Sequence, residues 1–259
     1  MSTLIAPFDD RLRPCSLWQS PRRALLIVLV VAMILPAMGT WLYFDVLAGS
    51  QIVQPVYSGA KAVQLALPLV AFLLIERRRV QWIGRRGSPR RDVIVGGIFG
   101  VVISIAMLIL YYGWLKTSPL MASGPEMISA KVVDLGLTTP WKFLAFALFL
   151  SVLHSLLEEY YFRWFIFRRL QAFIPLWLAV VLSSLAFMGH HVIVLLTFFP
   201  HSSALAWFFS LCIAVGGGIW AWMYHRSGSL RGVWLSHFLI DCAIMWLGFE
   251  MIDWSKLSL

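Results

Sequence analysis

His154-Ser155-Leu156-Leu157-Glu158-Glu159-Tyr160-Tyr161-Phe162-Arg163 closes an almost wholly apolar run that begins at Trp141. A charge at bilayer depth is costly, so an acid there is kept for a function or for a partner. On a helix, positions four apart share a face. Glu159 therefore lies one turn from Arg163, and Glu158 one turn from His154. The spacing predicts two jobs: Glu159 paired with Arg163, and Glu158 left free beside a histidine. The plainer reading is a structural ion pair that anchors a helix end near the headgroups, and the rest of the chain has to decide between them.

Composition supports the bilayer. Of 259 residues, 60% are hydrophobic and 13% charged, with a mean hydropathy of +0.82. Soluble domains carry about 25% charged residues, so the chain reads as a polytopic membrane protein, an all-α bundle of about seven transmembrane helices. The formal charge of +9 comes from basic residues gathered in short loops. With no nucleic-acid motif beside them, they report topology and not nucleic-acid binding. The three cysteines, Cys15, Cys212 and Cys242, form no CxxC pair. The last two, in apolar stretches, are expected to be small buried residues.

Outward from the opening stretch, the chain divides into a mixed polar arm (residues 1–23) with Arg11, Arg13, Arg22 and Arg23, and an N-terminal membrane region (24–140). A candidate catalytic core (141–251) and a short tail (252–259) follow. Expected spans run over 24–44, 52–75, 93–115, 141 to about 162, 177–199, 203–224 and 232–250. No cleavage signal closes the first, so it reads as a retained span. Lys61 interrupts the second and is expected to snorkel toward the outer interface. Glu76 to Arg91 holds seven arginines, which places that loop, and by alternation the amino terminus, in the cytoplasm. Lys116 to Pro140 reads as the main extracytoplasmic loop. Gly216-Gly217-Gly218 is expected to permit close helix approach.

Four more polar residues lie within apolar spans: His190 and His191 in span five, and His237 and Asp241, four apart, in span seven. Each unsatisfied polar group in hydrocarbon costs several kcal/mol, so these groups should converge. Such a set supports hydrolysis. A carboxylate withdrawn from bulk water can act as general base on a bound water. Histidines can bind a metal such as zinc that acidifies the water, or donate hydrogen bonds to a developing oxyanion. Asp241 could orient the His237 ring. HExxH and GxSxG are both absent from the sequence.

Glu158-Glu159-Tyr160-Tyr161-Phe162-Arg163 fits EExxxR, Phe187-Met188-Gly189-His190-His191 fits FxxxH, and His237-Phe238-Leu239-Ile240-Asp241 fits HxxxN/D. This ordered trio resembles the CPBP family of intramembrane proteases, which includes type 2 CAAX prenyl endopeptidases and bacterial bacteriocin-processing or abortive-infection proteins. The resemblance covers about Trp141 to Leu247. It implies Glu158 as the water-activating base, with His191 and His237 as partners in water or oxyanion binding. Glu159 and Arg163 would support them, with His154 and His190 beside the site. If a metal is present, Glu158, His191 and His237 would hold it. Asp241 stands where the eukaryotic CAAX enzymes carry asparagine. An ionised aspartate cannot donate to an oxyanion, so Asp241 is expected to orient His237 or to bind a metal.

The resulting expectation is an endopeptidase that cuts a membrane-associated protein or peptide from within a bacterial-type inner membrane, with the lipid bilayer as its solvent and no nucleic-acid partner. The alternatives are a non-catalytic immunity or partner-binding protein and a proton-coupled transporter. Helical rise adds a difficulty: it puts His191 well above Glu158 unless a span is tilted or its limits differ.

Overall fold

The computed structural model describes residues 21–76, 88–199 and 203–257. Most of the polar arm, Cys15 and the centre of the arginine-rich loop lie outside the described residues. Among the described residues there are helices and no strands, and seven helical stretches are long and apolar enough to cross a membrane: Arg22–Val46, Val53–Ile75, Pro89–Thr117, Pro140–Leu170, Leu176–Phe198, Ala204–Ser227 and Arg231–Met251. They are spans one to seven below, and the protein is an integral membrane bundle.

Arginines gather at one end of the bundle. Arg22 of span one donates to the Ala172 carbonyl after span four at 3.1 Å, and Arg91 and Arg226 line one cavity of about 570 Å³ between spans three, six and seven. At the opposite end Lys116 pairs with Glu250 at 2.5 Å, and Glu250 also accepts from the Tyr112 hydroxyl. The expected loop over 116–140 is itself partly helical, with Gly124–Asp134 as its main element. Span four then starts cleanly. Pro140 sits in its first turn and the Thr139 hydroxyl accepts from the Lys142 amide, which satisfies one of the orphan donors of a helix start.

Span four is two different helices in one. Its first half faces outward, with Trp141 80% exposed and Leu148 64%. Its second half is the centre of the bundle: Tyr161, Phe162, Phe165, Ile166 and Phe167 are fully buried among Leu25, Leu29 and Ala32 of span one, Ala179 and Phe187 of span five, and Trp220, Ala221 and Tyr224 of span six. The Tyr161 hydroxyl donates to the Ala32 carbonyl at 2.8 Å, so the phenol enters the core with its donor satisfied.

Span three crosses span seven at small residues. A Cβ on Gly96 would meet the Gly232 carbonyl at 2.0 Å, and one on Gly100 would meet Ser236 backbone atoms at 3.0 Å. Gly96 and Gly100 form a GxxxG face, with Gly232 and Ser236 as its small-xxx-small counterpart. The crossing fixes the depth of Ser236 and so of His237 beside it. The expected close approach at the glycine triplet is found at Gly217 and Gly218, against Phe187, Arg163 and Ser184, but Gly216 meets nothing.

Two expectations need correction. Cys212 and Cys242 are exposed, not buried; on a bundle bathed in lipid an apolar surrounding stretch does not mean an inward side chain, because a thiol facing acyl chains costs little. Lys61 does not snorkel outward. It shares a helical stripe with Tyr57, Gln64 and Pro68, of which Gln64 and Pro68 are buried, while Val63 and Leu69 on the other side are exposed.

Candidate active site

The two glutamates occupy a single α-helical turn, Ser155–Glu159, between two wider stretches of π-helix, Phe149–His154 and Tyr160–Phe167. Such i→i+5 turns free carbonyls and re-aim side chains, and they gather at functional sites. Here the Val152 carbonyl accepts from the Trp234 indole of span seven at 3.0 Å, and the Ser151 carbonyl accepts from the Ser155 hydroxyl.

Both acids are buried, Glu159 completely and Glu158 at 6% exposure. Arg163 donates to Glu159 Oε1 at 3.1 Å and to the Gly217 carbonyl at 3.4 Å. Its guanidinium lies over the Phe187 ring at 4.4 Å and the Trp220 ring at 5.0 Å. Glu159 is thus a paired, sealed carboxylate, as the helical spacing predicted. It has a second partner that spacing could not reveal: His237 Nδ1 lies 2.7 Å from the same Oε1. A carboxylate that only accepts requires the proton on Nδ1, so Glu159 sets the tautomer and the plane of this ring. Trp220 stacks on it at 4.4 Å, and the Trp220 indole donates in turn to the Ser236 hydroxyl at 2.9 Å.

Glu159 thus hydrogen-bonds the ring that Asp241 was expected to orient. Asp241 Oδ1 lies 3.6 Å from His237 Nε2, the ring atom that faces Glu158 Oε2 at 3.7 Å. Two carboxylates and one imidazole nitrogen thus border one spot at separations longer than direct hydrogen bonds, a spacing that suits a bridging water.

Around Glu158 the two oxygens differ. Oε1 meets His190 Nε2 at 3.2 Å and His154 Nε2 at 3.9 Å. Oε2 faces His237 only at the longer 3.7 Å. His190 is buried, stacks on Phe162, and has no hydrogen-bond partner at Nδ1. His191, one position on and placed by the FxxxH spacing as the motif histidine, has Nδ1 at 2.9 Å from the Phe187 carbonyl of its own helix. Its ring nevertheless lies 4.0 Å from that of His190. Glu158, His190 and His191 each offer a ligand atom within 4.8 Å of one another. One carboxylate and two imidazoles are a donor set that suits zinc, though this trio differs from the expected Glu158, His191 and His237.

The difficulty of depth is resolved by the length of span four. It ends at Leu170 and not near Phe162, so Glu158 lies roughly 18 Å from that end, close to the roughly 21 Å that separates His190 from the start of span five. The large cavity at the arginine-bearing end is lined by none of these residues.

Residues 140–243 match the family model described as type II CAAX prenyl endopeptidase Rce1-like. This segment is similar to that family. No curated protein and no solved structure matches the chain. The matched segment holds every member of the carboxylate and imidazole cluster, from His154 to Asp241, and the family description is that of an endopeptidase. Two polar residues of span two stand outside it yet reach the cluster: Lys61 is within electrostatic range of Glu158 and His154, and Tyr57 within range of Glu158. The stripe of Tyr57, Lys61, Gln64 and Pro68 at helical spacing was the sequence signal for this.

Proposed function

We propose that the protein is an intramembrane endopeptidase that hydrolyses a peptide bond of a membrane-associated protein or peptide, with Glu158 as the general base. The observation that carries this reading is the asymmetry of the Glu158 carboxylate: Oε1 is engaged by His190 at 3.2 Å, whereas Oε2 turns toward His237 Nε2 across 3.7 Å. His190 holds the carboxylate and leaves Oε2 to take a proton from a water placed between it and His237. The hydroxide formed adds to the scissile carbonyl. The proton held at Glu158 then passes to the leaving amine as the carbon–nitrogen bond breaks, and the carboxylate is regenerated. His237, fixed through Nδ1 by Glu159, keeps Nε2 aimed at the reacting water. Asp241 lies against that same nitrogen and binds the water from its other side.

Residues Glu158, His190 and His191 would hold a divalent ion such as zinc, which when bound polarises a water or carbonyl oxygen. The arginine-bearing end is the cytoplasmic one and the amino terminus is inside. Reporter fusions after Arg91 and after Leu259 should then report opposite compartments.

The test of function is comparative proteomics of membranes from cells making the wild type or Glu158→Gln. New peptide termini that appear only with the wild type support an endopeptidase. Identical terminomes at equal expression would refute it.

A further inference from the structure

Lys61 is a cation eight residues inside span two, roughly 12 Å from its nearer end. Its stripe faces the bundle, since Gln64 and Pro68 on the same face are buried. Its ammonium sits over the Tyr57 ring at 5.5 Å, and Tyr57 packs on buried Tyr43 with ring centroids 4.6 Å apart. Tyr43 is fixed in turn by a hydrogen bond from Gln54 at 3.2 Å. Among the described residues no carboxylate lies within 4.0 Å of the ammonium. Glu158 and His154 are its electrostatic neighbours, but Glu158 is already held by histidines. An inward cation at bilayer depth that has an aromatic floor and, among the described residues, no carboxylate within 4.0 Å is a charge kept for something that arrives.

We propose that Lys61 is the anion-binding residue of this site, holding a carboxylate of the substrate peptide while the scissile bond lies at Glu158. The proposal rests on the peptidase reading above and adds to it the charge of the substrate. Lys61 comes from span two, outside the matched segment at 140–243, so it gives this chain a preference of its own. Tyr57 lies under the ammonium and is itself packed on Tyr43, and the anion sits on the side of Lys61 that faces Glu158, its electrostatic neighbour. The carboxylate can be the free end of the peptide or an acidic side chain next to the cut. Both present the same group to an ammonium.

The experiment separates binding from cleavage. Full-length protein carrying Glu158→Gln, in lipid nanodiscs, is titrated with three dansylated apolar hexapeptides: one with a free C-terminus, one C-terminally amidated, and one amidated with an internal glutamate. The same series is repeated with Lys61→Met and Lys61→Arg added. At least one carboxylate peptide should bind 10-fold or more tightly than the neutral amide. Lys61→Met should remove that difference and Lys61→Arg should restore most of it. Whichever carboxylate peptide shows the effect identifies the source of the anion. Equal affinity for all three peptides, or a preference that survives Lys61→Met, overturns the proposal. Wild-type cleavage of the same peptides is scored separately. Cleavage without a Lys61-dependent preference leaves the peptidase reading standing and sinks this one. A Lys61-dependent preference without cleavage sinks the peptidase reading and leaves Lys61 as a carboxylate-binding residue of a site that does not cut.

Discussion

Spans four to seven and spans one to three differ in what they bury. The later region buries charge: Glu158, Glu159, Arg163, His190 and His237 all lie within it. The earlier region buries mainly apolar and small residues, such as Leu25, Leu29 and Ala32 of span one, and the glycines at which span three meets span seven. The difference teaches that a polar cluster in lipid needs a jacket. Tyr161, directly after the glutamates, reaches back to a span-one carbonyl. His237 sits beside a serine whose depth is set by span three. The first three spans hold the reactive segment in place, and through Lys61 they add one charge of their own.

Substitutions can break this comparison at several points. The largest effect is expected at the centre of the later region. Glu158→Gln should lower peptide cleavage by about 10³-fold, in line with loss of a general base, while purified protein in detergent melts where the wild type does. Glu159→Gln should act mainly through structure. It leaves a fully buried Arg163 without its charge partner, which costs about 3–5 kcal/mol, and its activity loss should be smaller than that of Glu158→Gln. A dead but stable Glu159→Gln beside an active Glu158→Gln would reverse the two roles.

In the earlier region the expected readout is stability alone. Gly96→Val forces a branched side chain into the Gly232 backbone, an overpacking that costs about 1–3 kcal/mol or more, measured as a lower melting temperature and poor insertion. Tyr161→Phe, which only unties the two regions, should cost about 1 kcal/mol and leave the cleavage rate per folded molecule unchanged. If Gly96→Val or Tyr161→Phe instead abolished cleavage in well-folded protein, the division between jacket and site would be wrong.

Much of this was legible in the residues. The apolar runs located all seven spans, because hydrocarbon demands length and apolarity and little else. The Glu159–Arg163 pair followed from spacing on one helix. Three things could not be read that way. The Glu159–His237 bond joins spans four and seven, and no periodicity within one helix reports a partner on another. The π-helical turns on either side of Ser155–Glu159 shift the faces by a backbone choice that carries no side-chain signature. His190, the neighbour of the motif histidine, meets Glu158 Oε1, a contact set by how spans four and five pack and not by spacing within either. Lys61 was different. Its stripe was visible at helical spacing, and it was read outward because a lone lysine in an apolar span usually snorkels.

Isotope transfer tests whether Glu158 activates water to cut a peptide bond. Purified wild type and Glu158→Gln are each incubated in ¹⁸O-water with a peptide found cleaved in membranes, and the products are weighed by mass spectrometry. One ¹⁸O is expected in the new carboxyl group with the wild type, and product formation about 10³-fold slower with Glu158→Gln. Labelled product formed at equal rates by both proteins would contradict that role for Glu158.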